Sequence, residues 1–196
     1  MLIDLSLPIT PKLLEQAQQN NRLAFSGHLG THFDLRGQEF PLIFTQRKGI
    51  IFDVRQVTDR DITCDDISTE QISPGMFVAF CSGYISREPY GSKAYFSNHP
   101  QLSQELIDRL LSLQVSIIGI DFAGIRRGPE HTPADQRCAE KGTYIVENLC
   151  CLEDLLPYGP FFTAHTYPLN YKEVTGVPCR VVAEIVDPPL FVHKNQ

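Results

Sequence analysis

Short apolar runs, rich in β-branched and aromatic residues, recur along this chain between turn signals. Such runs predict strands, and runs that are apolar throughout are typical of strands buried on both faces. The predicted strands cover residues 50–54, 76–80, 115–120, 144–146 and 180–186. A chain with this pattern must cover both sides of its β-structure with other elements, which excludes an all-helical fold.

Helical signals lie between the predicted strands. Residues 103–113 carry apolar side chains at helical spacing, and Ser103 stands at the N-cap position. A second helix is predicted over residues 11–19, where Thr10 can cap it and Pro11 suits the first turn. Shorter helical or turn segments are predicted at 61–70 and 153–156. The alternation, without repeats or linkers, predicts one mixed α/β domain spanning residues 1–196.

Length and charge narrow the class of protein. A chain of 196 residues fits one domain that buries roughly 70% of its unfolded surface. With 17 basic against 23 acidic residues it has a net charge of -6, which argues against a nucleic-acid partner. The first eight residues contain an acid and a proline and no basic leader, so we expect no signal peptide, no membrane segment and a cytoplasmic enzyme.

The six cysteines form no CxxC pair, and we expect them to be reduced and mostly buried. Cys150 and Cys151 are adjacent, and a bridge between neighbours would be strained. We therefore expect this pair to contribute to core packing and to have no redox role.

The segment 28–34 has the densest set of metal-capable side chains, because it contains His28, His32 and Asp34. Imidazole nitrogen and carboxylate oxygen together suit a divalent cation of borderline softness, and three such ligands leave room for water or substrate. The alternative is that these are ordinary loop or strand residues, since such spacing also arises by chance. The spacing by itself leaves both interpretations open.

Two further segments have the composition of an active-site wall. Residues 121–135 follow a predicted buried strand and are polar, charged and rich in glycine and proline, which predicts a loop. Glu147 follows the apolar residues 144–146, and a buried glutamate needs a partner such as a metal. Alternatively, Glu147 faces solvent on an edge strand.

The segment 28–34 also matches the first seven positions of the signature His-x-Gly-Thr-His-x-Asp-x-Pro-x-His. On this motif the chain resembles the cyclase-like family of metal-dependent hydrolases, which includes bacterial kynurenine formamidases (arylformamidases) and isatin hydrolases. Further similar segments follow in order at 4–6, 8–9, 74–84, 99–100, 119–121, 145–149, 167–169 and 176–180. The resemblance implies an α/β domain of the swivelling β/β/α type, with a central β-structure flanked by helices.

The resemblance implies a function as well as a fold. In such relatives, zinc or manganese would be held by the residues that correspond to His28, His32, Asp34 and Glu147. A metal-activated water would then attack a small-molecule amide, lactam or lactone, in an arylformamidase-like reaction on carbon–nitrogen bonds other than peptide bonds. The resemblance also implies that the protein is a homodimer or homotetramer, as such relatives are.

Departures from the signature affect the second metal and the proton transfer. Arg36 and Gln38 stand where the signature has proline and its last histidine, the general acid/base of the formamidases, and Gln38 cannot shuttle a proton. In two-metal relatives a histidine lies twelve residues before the strand glutamate, and here that position is Asp135. An aspartate can ligate metal, so this second site is altered, weak or absent. His131 could substitute, although a surface histidine is the favoured interpretation.

Three residues are candidates for catalysis: Gln38 by its position, His131 as a replacement acid or base, and Arg36. Glu130, Asp135 and the metal-bound water are the other possible proton donors. Because Arg36 follows Asp34 by two residues in an extended chain, we expect its guanidinium to face the metal pocket and bind a substrate carboxylate. An ion pair with Glu39 or Asp135 is the alternative for Arg36.

The chain contains no tryptophan, whereas the formamidases hold their aryl substrate against an aromatic wall. We therefore expect N-formylkynurenine to be a poor substrate. A degenerate family member that binds metal or a small ligand without efficient turnover is the non-enzymatic alternative.

Overall fold

A computed structural model describes residues 1–18, 27–171 and 174–185 of the chain. These residues contain eight strands, named β1 to β8 in chain order: Leu2–Asp4, His32–Asp34, Gln46–Asp53, Phe77–Cys81, Ile117–Ile120, Tyr144–Glu147, Phe161–Pro168 and Gly176–Glu184. They also contain five α-helices, named α1 to α5: Pro11–Gln18, Tyr84–Arg87, Lys93–Asn98, Gln104–Ser112 and His131–Glu140. Several short 3₁₀ segments connect them.

The strands form one sheet that closes on itself. Its order is β1-β8-β2-β6-β5-β4-β3-β7, and β7 pairs with β8 to complete a barrel. Strands β3, β4, β5 and β6 run parallel, whereas the other pairings are antiparallel. The long β8 makes closure possible, because one of its edges pairs with β2 and then β1 while the other pairs with β7.

Two apolar clusters cover the two faces of the central strands. Alternate residues such as Phe80 and Ile118 pack with Leu106 and Cys138, on helices α4 and α5 outside the barrel. The intervening residues, such as Phe77, join side chains from the other barrel strands in the interior. Helix cover on one face and barrel closure on the other explain why β4 and β5 are buried at every position.

The predicted mixed α/β fold is confirmed, with some differences in the elements. The predicted strand 50–54 begins earlier, at Gln46, because its first residues pair with β7 and are partly exposed. Residues 161–168 form a strand that we did not predict, and the short strands β1 and β2 were also missed. The last residue of the predicted strand 180–186 lies outside the described residues, as does residue 19 of the predicted helix 11–19.

The expectation that residues 121–135 form a loop is wrong over its last part, because α5 begins at His131. Pro133 lies in the first turn of this helix, where a missing backbone N–H removes no intrahelical bond. The expectation of core packing is also wrong for Cys151, which is exposed at a left-handed backbone position with φ 56°. All six thiols are free, but only Cys81 and Cys138 are buried, so the expectation of mostly buried cysteines is wrong.

No helix among the described residues is both long and apolar enough to cross a membrane.

Helix α4 offers a test of the local prediction, because Ser103 Oγ accepts a hydrogen bond from the Leu106 N–H at 3.1 Å. We expect Ser103→Ala to lower the free energy of unfolding by about 1 kcal/mol, measured by urea denaturation. The control is Ser112→Ala at the exposed end of the same helix, where we expect a change within about 0.5 kcal/mol. Equal losses in both variants would contradict the capping role.

Candidate metal centre

The pairing of β2 with β6 brings the sequence-predicted ligands together. His32 lies directly opposite Glu147 in this antiparallel pair, and Asp34 lies opposite Ile145. Because side chains on a strand alternate between faces, His32, Asp34 and Glu147 share the face that is covered by helices. Phe33 points the other way, into the barrel interior. Glu147 is only 4% exposed on a central strand, so the edge-strand alternative is wrong.

The polar atoms of these side chains are close to one another. His28, in the turn before β2, has its Nε2 3.0 Å from Asp34 Oδ1. His32 Nε2 lies 3.5 Å from Glu147 Oε2 and 3.9 Å from Asp34 Oδ2. These separations are those of groups that face a common point.

Helix α5 adds two more polar side chains to the same place. His131 and Asp135 are one helical turn apart, and His131 Nε2 lies 3.0 Å from Asp135 Oδ2. The same nitrogen lies 3.6 Å from Glu147 Oε1. The interpretation of His131 as a surface histidine is therefore wrong: its side chain is 29% exposed and belongs to the cluster. The unpredicted helix is what turns it inward.

The possible ligands fall into two overlapping groups whose donor atoms lie within 4.8 Å of one another. One group contains His28, His32 and Asp34, and the other contains Asp34, His131, Asp135 and Glu147. Asp34 belongs to both groups. The geometry thus offers two neighbouring cation positions that share a carboxylate.

Several atoms of the cluster are buried without a hydrogen-bond partner: His32 Nε2, Asp34 Oδ2, Glu147 Oε1 and Asp135 Oδ1. An unpartnered buried polar atom costs about 1–3 kcal/mol, and more when it is charged. A divalent cation would satisfy such atoms, and a mixed set of imidazoles and carboxylates suits zinc or manganese. The residues present therefore fit the expected metal.

The orientation of His32 depends on residues that sequence reasoning missed. Its Nδ1–H donates to the Gly30 carbonyl at 2.8 Å, which leaves the Nε2 lone pair facing the cluster. The same carbonyl accepts from Asn148 Nδ2 at 2.9 Å, and Tyr95 Oη donates to Asn148 Oδ1 at 2.7 Å. Burial lowers the pKa of His32 to about 4, so this imidazole is neutral at pH 7, as a ligand must be. The position of Asn148 directly after Glu147 was the available signal.

The electrostatics of the cluster favour an added positive charge. Burial raises the pKa of Glu147 well above its usual value, and the charges of Asp34 and Asp135 raise it further. Burial opposes ionisation of Asp34 as well, but the hydrogen bond from His28 and the nearby cationic groups hold its pKa below the usual value. Three carboxylates are crowded together where water cannot screen them.

Arg36 reaches the cluster, although not for the reason predicted. Its backbone has φ 49°, a left-handed conformation just beyond β2, so the expectation of an extended chain is wrong here. Its Nη2 lies 2.5 Å from Asp135 Oδ2 and 3.8 Å from Asp34 Oδ1. The ion pair with Asp135 is thus present, and it lies inside the cluster.

Gln38 has a different environment. It is exposed, and it lines a cavity of about 710 Å³ together with Phe40 and Tyr167. Among the described residues that line this cavity, none is a member of the metal-capable cluster.

Comparison with known protein families gives a match over most of the chain. A family model described as "Putative cyclase" matches residues 3–126. No curated protein matches the chain.

Solved structures with the same fold include three informative ones. A potential metal-dependent hydrolase with cyclase activity has a TM-score of 0.73 at 24% identity, over 96% of this chain and 99% of its own. A predicted metal-dependent hydrolase from Bacillus stearothermophilus has a TM-score of 0.69 at 23% identity, over 93% and 97%. Isatin hydrolase A from Labrenzia aggregata has a TM-score of 0.68 at 20% identity, over 80% and 73%. At these identities the likeness shows the fold.

The support of His32 by Asn148 can be tested. Asn148 has φ 58°, so Asn148→Gly removes the side chain without straining the backbone. We expect affinity for Zn²⁺ to fall about 10–100-fold, measured by chelator competition, because the imidazole loses its orienting contacts. Asn98→Gly, at the exposed end of α3, is the control and should leave affinity unchanged. Unchanged affinity in both variants would mean that the Gly30 carbonyl alone orients His32.

Proposed function

The chain belongs to the Cyclase family, and on this basis we propose that it is a metal-dependent hydrolase of a small-molecule amide, lactam or lactone. The observation that carries the proposal is the set of buried, unpartnered ligand atoms on His32, Asp34 and Glu147, which converge on one face of the barrel. The structural neighbours, which include metal-dependent hydrolases and an isatin hydrolase, support the same class of reaction.

We assign the primary metal position to the first group, His28, His32 and Asp34, with zinc or manganese as the ion. Glu147 belongs to the second group, but its Oε2 lies 3.5 Å from His32 Nε2, and we assign it to the primary position as the fourth ligand. When bound there, the cation would polarise a substrate carbonyl and lower the pKa of a water molecule toward neutrality. The paired register of His32 and Glu147 holds these two donors at one point, and His28 Nε2 lies 3.0 Å from Asp34 Oδ1, so that these two atoms also face one position.

His131 is the candidate for proton transfer to the leaving group. Its ring is partly exposed at the rim of the cluster, and its Nε2 lies within hydrogen-bond distance of Asp135 Oδ2. Such a positioned group typically contributes 10²–10⁴-fold to the rate. Gln38 has no ionisable side chain and lies in the separate cavity, so it does not fill this role.

Arylformamidase-like activity is the finer form of the proposal. A formamide, a cyclic amide such as isatin and a lactone all present a carbonyl that an activated water can attack, so the metal centre alone does not separate them. The absence of tryptophan from the chain favours a substrate other than N-formylkynurenine.

Metal analysis is the first test. We expect the protein, purified with Zn²⁺ or Mn²⁺ supplied and then desalted, to retain close to one ion per chain. His32→Ala should lose most of that metal, because it removes a central donor. The control His165→Ala removes a histidine that pairs with Glu184 and should keep the ion. Metal-free wild-type protein, or full occupancy in His32→Ala, would contradict the assignment.

Hydrolysis is the second test, with formamides, isatin-type lactams and lactones as substrates. We expect chelator-sensitive turnover of at least one class. We expect kcat/KM for N-formylkynurenine to be lower than kcat/KM for the best substrate of the screen. His32→Ala should reduce kcat/KM by 100-fold or more, since it removes metal-dependent stabilisation of developing charge. A loaded, folded protein that turns over none of these classes would support the ligand-binding alternative instead.

A further inference from the structure

The second group of possible ligands already contains a positive charge. Asp34 and Asp135 would contribute carboxylates to a second cation next to the primary position. The Arg36 guanidinium contacts both of them, with Nη2 2.5 Å from Asp135 Oδ2 and 3.8 Å from Asp34 Oδ1. A second metal ion would have to displace this group or share its carboxylates.

The donor atoms of the second group are also partly used. Asp135 Oδ2 faces both Arg36 Nη2 at 2.5 Å and His131 Nε2 at 3.0 Å. While Arg36 stays in place, this oxygen has little remaining capacity for a metal, and only the other carboxylate oxygen of Asp135, Oδ1, has no hydrogen-bond partner.

The charged side chains of the cluster point the same way. Three buried carboxylates, Asp34, Asp135 and Glu147, lie around one guanidinium. A permanent positive charge at Arg36 repels a second cation that approaches the same carboxylates.

We propose that Arg36 takes the place of a second metal ion, so that this centre holds one exchangeable cation and one permanent guanidinium. The inference rests on the proposed function, because it presupposes the primary metal position. A guanidinium stays protonated throughout the physiological pH range and no chelator removes it. One of the two positive charges of the centre is therefore a property of the chain itself.

The backbone holds Arg36 in this position. Its N–H and that of Leu35 donate to the same carbonyl, Thr175 O, at 3.2 and 2.9 Å. The left-handed φ of 49° then turns the side chain from the end of β2 toward α5, and only 12% of the side chain is exposed. The ion pair of Arg36 with Asp135 is therefore largely buried. The ion pair of Arg55 with Asp53 lies at the surface, where both side chains are about two-fifths exposed.

The test is the number of metal ions bound. Wild type, Arg36→Gln and Arg36→Lys would be titrated with Mn²⁺ at neutral pH, desalted and analysed for manganese per chain. We expect one tight ion in wild type and in Arg36→Lys, which keeps the charge. We expect two ions in Arg36→Gln, because the neutral side chain leaves Asp34 and Asp135 without the positive charge that Arg36 supplies. Arg55→Gln, which breaks the surface pair, is the matched control and should keep one.

The outcomes separate this inference from the proposed function. Two tight ions in wild type would overturn the role of Arg36 while leaving a metal-dependent hydrolase intact, whereas no metal in any variant would overturn the proposed function. A folded Arg36→Gln that still binds one ion would also overturn the inference. If Arg36→Gln does not fold, Arg36→Gly, which suits the left-handed backbone, is the second neutral variant and carries the same expectation of two ions.

Discussion

The antiparallel pairing of β2 with β6 assembles the candidate metal centre. It places His32 opposite Glu147, so that two candidate ligands separated by more than a hundred residues face one point. A shift of register by one residue would turn His32 and Asp34 into the barrel interior, where Phe33 now packs. Closure of the barrel through β8 prevents that shift, because β8 pairs with β2 on its other edge.

The same arrangement explains how so many charged groups are tolerated inside a small protein. The apolar clusters on the two faces of the sheet supply the stabilising burial, and the polar cluster lies where the sheet meets the start of α5. Its carboxylates are stable only with compensating positive charge. Arg36 provides part of that charge from within the chain, and a bound cation would provide the rest.

Two of the features that local prediction missed lie at the site. The segment 121–135 has the composition of a loop, yet its end forms the helix that directs His131 and Asp135 into the cluster. The hydrogen bonds that orient His32, through Gly30 and Asn148, also carry no periodic signal in the sequence. Such features arise from contacts between distant segments, which propensity and periodicity do not report.

Five of the eight described strands, the capped helix α4 and the candidate ligands His28, His32, Asp34 and Glu147 could be predicted from the sequence. Apolar runs, caps and a dense ligand motif are local patterns, and the family resemblance added Glu147 to the set. The place of His131 in the cluster and the pairing of Arg36 with Asp135, 99 residues away, became visible only in the folded chain. That pair depends on a left-handed backbone and on helix α5 packing across the sheet, and spacing along the chain does not encode either one.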